Sequence, residues 1–476
     1  MAYKYRVAVI YLLGFFIDLI NMFMASVAFP DIGRSLHASI GTVAWVANAY
    51  TLGLTLVIPL SAWLAERFGG KAVFVASLGI FLVAVTGAGC AASIEALIAW
   101  RFLQGLGGGL LIPLGQTMSY RLFDKSERAR LSAAVMATAL LAPALSPLLG
   151  GLVVDTLGWH WMFFLNIPLT VLTLALAVAW LKEGRSAVRE RPDLPGMALI
   201  GAALALVLYG LSRFERADGW TGGAAFVLAG LAALAGFLWH ARRAAAPVLD
   251  LAVLRDPLLR TAMLVYLFVP GVFTGIGVIN IFFVQSALHM SAIQAGALML
   301  PYSAAAFVSI GMVGRLFNRV GPRTLLLPGV ALFGLGIATL LSVSGSGHGA
   351  RMVAAFLLMG FGGGIASSTA QTMALLDIGD AAMAKASAIW NLNRQLCFCV
   401  GVAVFSLMLG LLLARAGIAD LAAAPDGGKL VAIFHLCFAA GAASTLIPLL
   451  AVARIDNRGV LATLHQAHHP SGVKND

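Results

Sequence analysis

The chain has 476 residues, 61% hydrophobic and 11% charged, with a net charge of +11 and a mean hydropathy of +0.94. A soluble domain is about 25% charged, so the composition excludes one and makes lipid the solvent for most of this protein. The excess of Lys and Arg then reads as loop charge facing anionic lipid, not as a nucleic-acid surface.

Apolar runs of about 18 or more residues are spanning candidates. Fourteen are predicted, at approximately 7–29, 42–64, 72–93, 96–119, 131–154, 160–181, 195–213, 221–241, 259–286, 293–316, 323–344, 352–375, 385–413 and 430–453. Runs of this length exclude barrel strands, so every span is a helix. The start, Met1 to Arg6 followed by an apolar run, resembles a signal peptide. That run is long enough to span and no small-residue cleavage site follows it, so a retained first helix is expected.

The first run carries Asp18 near its middle. A charge there costs about 2.5–3.5 kcal/mol on insertion scales, so the group pairs, faces a wet cavity or holds a proton; a hydrogen-bonding Asp that only packs its helix is the plainer alternative. Burial raises a carboxyl pKa and a nearby Arg lowers it, so a carboxyl balanced between the two can load and release a proton.

Between the second and third runs lies Ser61-Ala62-Trp63-Leu64-Ala65-Glu66-Arg67-Phe68-Gly69-Gly70-Lys71. Glu66, Arg67, Gly69 and Lys71 are the expected gate: a short turn whose acid forms a reversible latch biasing a two-state equilibrium. The fourth run contains Arg101, which cannot lose its proton in practice and so acts electrostatically on a carboxylate or an anionic substrate. The Gly-rich stretch 105–109 lacks a following Lys-Ser/Thr; with no phosphate loop, an ion gradient is the expected energy source and no cofactor is expected. In the fifth run, Pro143, Pro147, Gly150 and Gly151 allow a kink and close packing. The tenth and eleventh runs flank Gly314-Arg315-Leu316-Phe317-Asn318-Arg319-Val320-Gly321-Pro322-Arg323, an echo of the 61–71 loop, with Arg319 as its gate residue. Arg394 lies deep in the thirteenth run, and a polar tail follows Arg454. Cys90, Cys397, Cys399 and Cys437 read as small buried thiols, and His465, His468 and His469 as a solvated tail rather than a metal site.

Loop charge supports the count. With the N-terminus and even-numbered loops assigned to the cytoplasm, that side collects 23 of the 31 Lys and Arg, which places both termini inside. At an offset of 252, His37, Ser39, Tyr50, Ile58, Leu64, Arg67 and Gly69 meet His289, Ser291, Tyr302, Ile310, Leu316, Arg319 and Gly321. Gln116-Thr117-Met118 meets Gln371-Thr372-Met373 at an offset of 255. Six helices with loops need roughly 190 residues, and the surplus holds the seventh and eighth, so parallel six-helix halves around a two-helix insert are expected. The expected boundaries are 1–182 for the N-terminal bundle, 183–257 for the insert with its flanking loops, 258–454 for the C-terminal bundle and 455–476 for a cytoplasmic tail.

These segments together resemble the major facilitator superfamily, in its fourteen-helix drug–proton antiporter branch of the EmrB/QacA type. The 61–71 loop is similar to that family's signature between helices two and three. Arg101-Phe102-Leu103-Gln104-Gly105-Leu106-Gly107-Gly108-Gly109, running on to Pro113, resembles the fourth-helix signature. Pro143-Ala144-Leu145-Ser146-Pro147-Leu148-Leu149-Gly150-Gly151 resembles the antiporter signature of helix five, and Asn393-Arg394-Gln395-Leu396 the helix-thirteen segment. Three departures stand out. Glu66 replaces the usual Asp, Ala62 the opening Gly, and the position nine residues before Pro30, where the family places an acid, is Asn21. Asp18 lies one helical turn earlier on nearly the same face, so the acid's role falls to the Asp18 or the Asn21 position.

The resemblance implies proton coupling through Asp18, tuned by Arg101. It implies a substrate cavity formed by Asn21, Met22, Gln104, Asn280, Tyr302, Gln371, Trp390, Asn391 and Arg394, a mixed apolar–polar lining suited to amphipathic molecules. The expected function is proton-coupled export of hydrophobic or amphipathic compounds by alternating access, from the cell (inner) membrane. The alternative on the same fold is a metabolite or organic-anion transporter with Arg101 and Arg394 as carboxylate clamps. A membrane enzyme or receptor is a remote third reading, since no nucleophile elbow or metal cluster supports it. Expected partners are a small-molecule substrate and membrane lipid, with no nucleic acid; a monomer is expected, with a periplasmic adaptor as an optional addition.

Overall fold

The computed structural model describes residues 2–38, 40–183, 193–213, 220–244, 247–290, 294, 297–418 and 427–466. Among them every regular element is helical. The long helices are α1 (Tyr3–Val27), α2 (Ile40–Val57), α3 (Ser61–Phe68), α4 (Gly70–Gly89), α5 (Ile94–Leu122), α6 (Lys125–Leu157) and α7 (Asn166–Trp180). The insert supplies α8 (Leu194–Arg213) and α9 (Trp220–Ala241). There follow α10 (Pro257–Tyr266), α11 (Val272–Phe282), α12 (Met299–Thr339), α13 (Gly349–Met373), α14 (Met383–Arg415), α15 (Gly427–Ser444), α16 (Leu446–Val452) and α17 (Asn457–Gln466).

Eleven helical stretches among the described residues are long and apolar enough to cross a membrane, against the fourteen spans expected. The difference has three sources. The stretch Met299–Ser342 runs through two expected spans as one, although Gly321 inside it is non-helical, with φ 79° and ψ 168°. The apolar part of α8 is short, at Leu194–Val207, and α6 is outside the eleven. The outer surfaces are apolar, as lipid solvation requires: Leu152, Leu172, Leu228, Trp239, Leu300, Phe307 and Leu450 are all exposed.

The chain divides into two compact units, each discontinuous in sequence. One comprises Met1–Phe123, Leu141–Arg255 and Ile378–Leu392; the other comprises Asp124–Leu140, Asp256–Asp377 and Asn393–Asp476. Helices α6 and α14 therefore each begin in one unit and end in the other.

The repeat read at offsets 252 and 255 is a repeat of contacts. In the first unit a Cβ added at Gly105 would lie 2.1 Å from the Tyr50 carbonyl oxygen; in the second, a Cβ at Gly360 would lie 2.2 Å from that of Tyr302. Gly107 packs against the backbone of Phe81 and Ser77, and Gly362 against that of Phe333 and Gly329, the positions 252 residues on. Both units thus press a glycine-rich helix onto its neighbours at backbone distance, which small residues alone permit in lipid. The two loops also match: Gly69 has φ 86° and Gly321 φ 79°. Among the described residues two non-glycine residues adopt positive φ, His37 at 51° and His289 at 53°, and they too are a repeat pair.

The insert is anchored within the first unit. Helices α8 and α9 pack on each other, and Trp45 of α2 meets Tyr209 of α8 at 5.7 Å between ring centroids. Asp193, just before α8, accepts from the Gly196 and Val248 backbone N–H groups at 2.9 and 3.1 Å and lies 2.6 Å from His240 Nε2 at the end of α9. Burial works to raise the Asp193 carboxyl, but the two backbone donors and the His240 ring outweigh it and hold it below its ordinary range.

After Arg454 the chain is not a loose tail throughout. Residues 457–466 form α17, with Val460 and Leu464 buried. Asn457 accepts from the Arg323 backbone N–H at 3.0 Å and donates to the Val320 carbonyl at 2.8 Å, so α17 is fastened to the Gly321 turn. The polar composition that suggested a tail is the outer face of a short amphipathic helix. His468 and His469 lie outside the described residues, as does the His465 side chain.

Candidate functional site

Asp18 and Asn21 lie three residues apart on α1 and share a face. Both are 2% exposed. Opposite them, α2 presents Tyr50 and α5 presents Arg101 and Gln104, all three fully buried. Helix α5 is started by Ser93, whose hydroxyl accepts from the Ala96 N–H at 3.2 Å, and Arg101 and Gln104 then fall on one face at helical spacing. Close crossing by α2 at Gly105 brings Tyr50 over that face.

The guanidinium of Arg101 donates from Nε to the Val46 carbonyl at 3.0 Å and from Nη1 to Gln104 Oε1 at 2.9 Å, and Nη1 also donates to Asn21 Oδ1. Its carbon stands 4.3 Å from the centre of the Tyr50 ring, a cation–π contact, and 5.9 Å from that of Phe163. The Tyr50 hydroxyl donates to Asp18 Oδ1 and lies 3.3 Å from the Asp18 backbone carbonyl. A polar chain therefore runs Asp18–Tyr50–Arg101–Asn21 through the buried interior of one unit. Among the described residues Arg101 Nη2 and Gln104 Nε2 are buried with no hydrogen-bond partner, an arrangement that in a buried site leaves capacity to receive an acceptor group.

The two candidate positions for the acid are thus not rivals in space. Asp18 meets the tyrosine, Asn21 meets the arginine, and both belong to one cluster. Tyr50 is the member that sequence reasoning passed over. Its signal was its place among the repeat identities, with Tyr302, rather than any charge.

The other expected cavity residues divide between the units. Asn391 donates to Gln116 Oε1 at 2.6 Å and to the Ser387 carbonyl at 2.8 Å, beside the fully buried Trp390. In the second unit, Tyr302 stacks on Phe273 with centroids 4.1 Å apart, while Asn280, Gln371 and Arg394 are buried. Met22 is half-buried in the first unit. Positions 21 and 273, and 50 and 302, are repeat equivalents, so the site that is polar in one unit is an aromatic stack in the other.

Of the residues expected to gate, Glu66 and Arg67 lie in the last turn of α3, Gly69 makes the turn at positive φ, and Lys71 lies in the first turn of α4; Arg319 is exposed on α12 before the Gly321 turn. Helix α6 runs through Pro143, Pro147, Gly150 and Gly151. Gly150 is buried; the side-chain environments of Pro143 and Pro147, and the surroundings of Gly151, lie outside the described residues.

The Major Facilitator Superfamily model matches residues 11–402. The chain belongs to that superfamily. It is 31% identical over 443 residues to the "Probable actinorhodin transporter" of Streptomyces coelicolor, covering 90% of this chain and 75% of that one. It is 28% identical over 396 residues to the drug efflux pump JefA of Mycobacterium tuberculosis (82% and 77% covered). It is 27% identical over 402 residues to a multidrug resistance protein B homolog of the same organism (82% and 73% covered). Among solved structures, the human organic anion transporter MFSD10 (TETRAN) aligns with a TM-score of 0.67 at 14% identity, over 95% of this chain and 100% of that one. The proton:xylose symporter XylE aligns at 0.64, also at 14% identity, over 94% of each. These last two establish the shared fold. The protein is accordingly a multi-pass membrane transporter, and its relatives are named as transporters and efflux pumps.

Proposed function

We propose that this superfamily member is a proton-coupled exporter of hydrophobic or amphipathic small molecules that works by alternating access. The observation carrying this reading is a carboxyl, Asp18, buried in a membrane helix and linked through one tyrosine to a buried arginine. Such a group is costly to bury, and its presence in a membrane helix marks a functional candidate. Exchange of a proton there, with Arg101 setting how tightly the carboxyl holds it, uses the acid and the arginine of the cluster. The drug-efflux relatives support the substrate class. Movement of one charge through 100 mV supplies about 2.3 kcal/mol, enough to sustain a substrate gradient of around fifty-fold.

The rest of the reading follows. On this reading the chain has fourteen spans, with α12 counted as two helices about Gly321 and α6 and α8 included, and both termini on one side of the membrane; the Lys and Arg distribution supports the cytoplasmic side. The turns at Gly69 and Gly321, with Glu66, Arg67, Lys71 and Arg319, act as inner gates of the two halves. The location is the cell (inner) membrane.

The test is ethidium accumulation in everted membrane vesicles energised by a pH gradient. Accumulation that collapses with an uncoupler, and that Asp18→Asn abolishes, is expected. Accumulation indifferent to the uncoupler sinks proton coupling; an Asp18→Asn variant that behaves as wild type removes Asp18 from it. A second reading, carriage of an organic anion, is favoured by the donors Arg101 Nη2 and Gln104 Nε2, which have no partner among the described residues. Competition of ethidium transport by neutral, cationic and anionic compounds of matched size separates the two.

A further inference from the structure

Tyr50 holds two contacts at once. Its ring carries the Arg101 guanidinium at 4.3 Å, and its hydroxyl donates to the Asp18 carboxyl. We propose that Tyr50 is the positioning residue that sets proton release from Asp18, a role resting on the reading of Asp18 as the proton carrier. Three observations support it.

Among the described residues the hydroxyl has two acceptors within reach, both on Asp18: the carboxyl Oδ1 and, at 3.3 Å, the backbone carbonyl. An ionised carboxylate only accepts, so the phenol proton points to it; a protonated carboxyl becomes a donor. When Asp18 takes up a proton, its new O–H can donate to the Tyr50 oxygen, and the phenol proton turns to the backbone carbonyl. Rotation about the phenol C–O bond accommodates both charge states, no covalent bond to Tyr50 breaks, and the ring stays under Arg101.

The pocket around this contact is closed by glycine. A Cβ at Gly108 would stand 2.7 Å from Asp18 Oδ1 and 3.1 Å from the Tyr50 hydroxyl, with Phe81 at 3.5 Å. Tyr50 from α2 and Arg101 from α5 are the titratable groups facing it among the described residues; α4 contributes Phe81, and α1 contributes the neutral Asn21. The second unit provides an internal contrast. The equivalent tyrosine, Tyr302, stacks on Phe273, and the position equivalent to Asp18 is Pro270, inside a π-helical turn at Leu267–Gly271. A tyrosine common to both halves meets an acid in the first alone.

The test does not require the natural substrate. Purified full-length protein in lipid is titrated by infrared difference spectroscopy, following the protonated-carboxyl band lost in Asp18→Asn. Tyr50→Phe keeps the ring under Arg101 and removes one donor to the charged form. The expected result is a band midpoint displaced to higher pH, with proton affinity raised about tenfold or more, as loss of a hydrogen bond to a charged group implies. Tyr50→Gln restores an amide donor and is expected to return the midpoint toward wild type, which a purely structural role would not do. A Tyr50→Phe midpoint equal to wild type, with the Asp18 band present, overturns the role of Tyr50 and leaves Asp18 standing. If no titrating band disappears in Asp18→Asn, the carrier reading fails and this role fails with it. Should Tyr50→Phe not fold, the Tyr50→Gln midpoint decides: near wild type supports the role, and a displacement of about tenfold or more in proton affinity overturns it.

Discussion

Gly105→Ala is the most demanding test of how the two units are built. The added methyl would lie 2.1 Å from the Tyr50 carbonyl oxygen and 2.9 Å from the Leu54 nitrogen, both backbone atoms that no rotamer change can move. An ordinary contact is about 3.4 Å or more, so α2 and α5 would have to separate by roughly 1.3 Å at their crossing, and close packing does not absorb such a shift without loss. Overpacking of this kind costs about 1–3 kcal/mol. For a domain of 150–250 residues that is a fall in Tm of roughly 2–4 °C per kcal/mol. Gly360→Ala, with its Cβ 2.2 Å from the Tyr302 carbonyl oxygen, makes the same demand on the second unit and should cost a similar amount. Gly79→Ala and Gly277→Ala place their methyl groups where nothing lies within 4 Å, and serve as neutral controls. The assay is thermal unfolding of the purified protein by intrinsic fluorescence, with vesicle transport measured alongside. Gly105→Ala displaces Tyr50 and so should also lower transport out of proportion to its Tm. If Gly105→Ala melts with Gly79→Ala, the crossing is not held at backbone distance and the repeat of contacts is not what shapes the two units.

Asn457→Ala removes the acceptor for the Arg323 N–H and the donor to the Val320 carbonyl, and should cost about 1–3 kcal/mol and raise the labelling rate of a cysteine placed at Arg319; unchanged labelling would show that α17 does not brace the Gly321 turn. Asp193→Ala should destabilise the insert by a similar amount near neutral pH. Because the folded carboxyl is held below its unfolded value of about 3.9, the stabilisation is present above that value and is lost as pH falls through the folded value, so the variant should flatten the acid limb of a Tm–pH curve. Arg128 is buried and donates to the Leu375 carbonyl at 2.7 Å, two residues past the end of α13. Arg128→Met should lower stability by about 1.5–3 kcal/mol, whereas Lys125→Ala, breaking a half-exposed pair with Asp377 at 3.4 Å, should cost at most about 1 kcal/mol by the same melting assay.

Reading the chain in order located most of the helices, because lipid demands long apolar runs and such runs are visible without any knowledge of packing. It also located Asp18 and Arg101, since a charge in an apolar run is conspicuous. It did not find Tyr50. A tyrosine among apolar residues is ordinary in a membrane helix, and its importance comes from residues 32 and 51 positions away in the chain. Nor did it find α17, whose polar face looks in sequence like a tail; the burial of Val460 and Leu464 appears only once α12 is beside them. The loops at Gly69 and Gly321 lie between these cases. Gly69 and Gly321 were legible as turns, and the structure adds that both sit at positive φ, where a side chain would be strained.

Composition and the length of the apolar runs determined that this is a membrane protein of helices, and the offset of 252 residues pointed to a chain built twice. Hydrophobic length and self-similarity are properties of the chain read along its own axis. Only the tertiary structure decided that Asp18 and Asn21 join one cluster, that a tyrosine links the acid to Arg101, and that the equivalent place in the other unit is an aromatic stack. Those outcomes depend on how close two helices can come, and that distance is set by glycines on one helix facing carbonyls on another, which no linear pattern records.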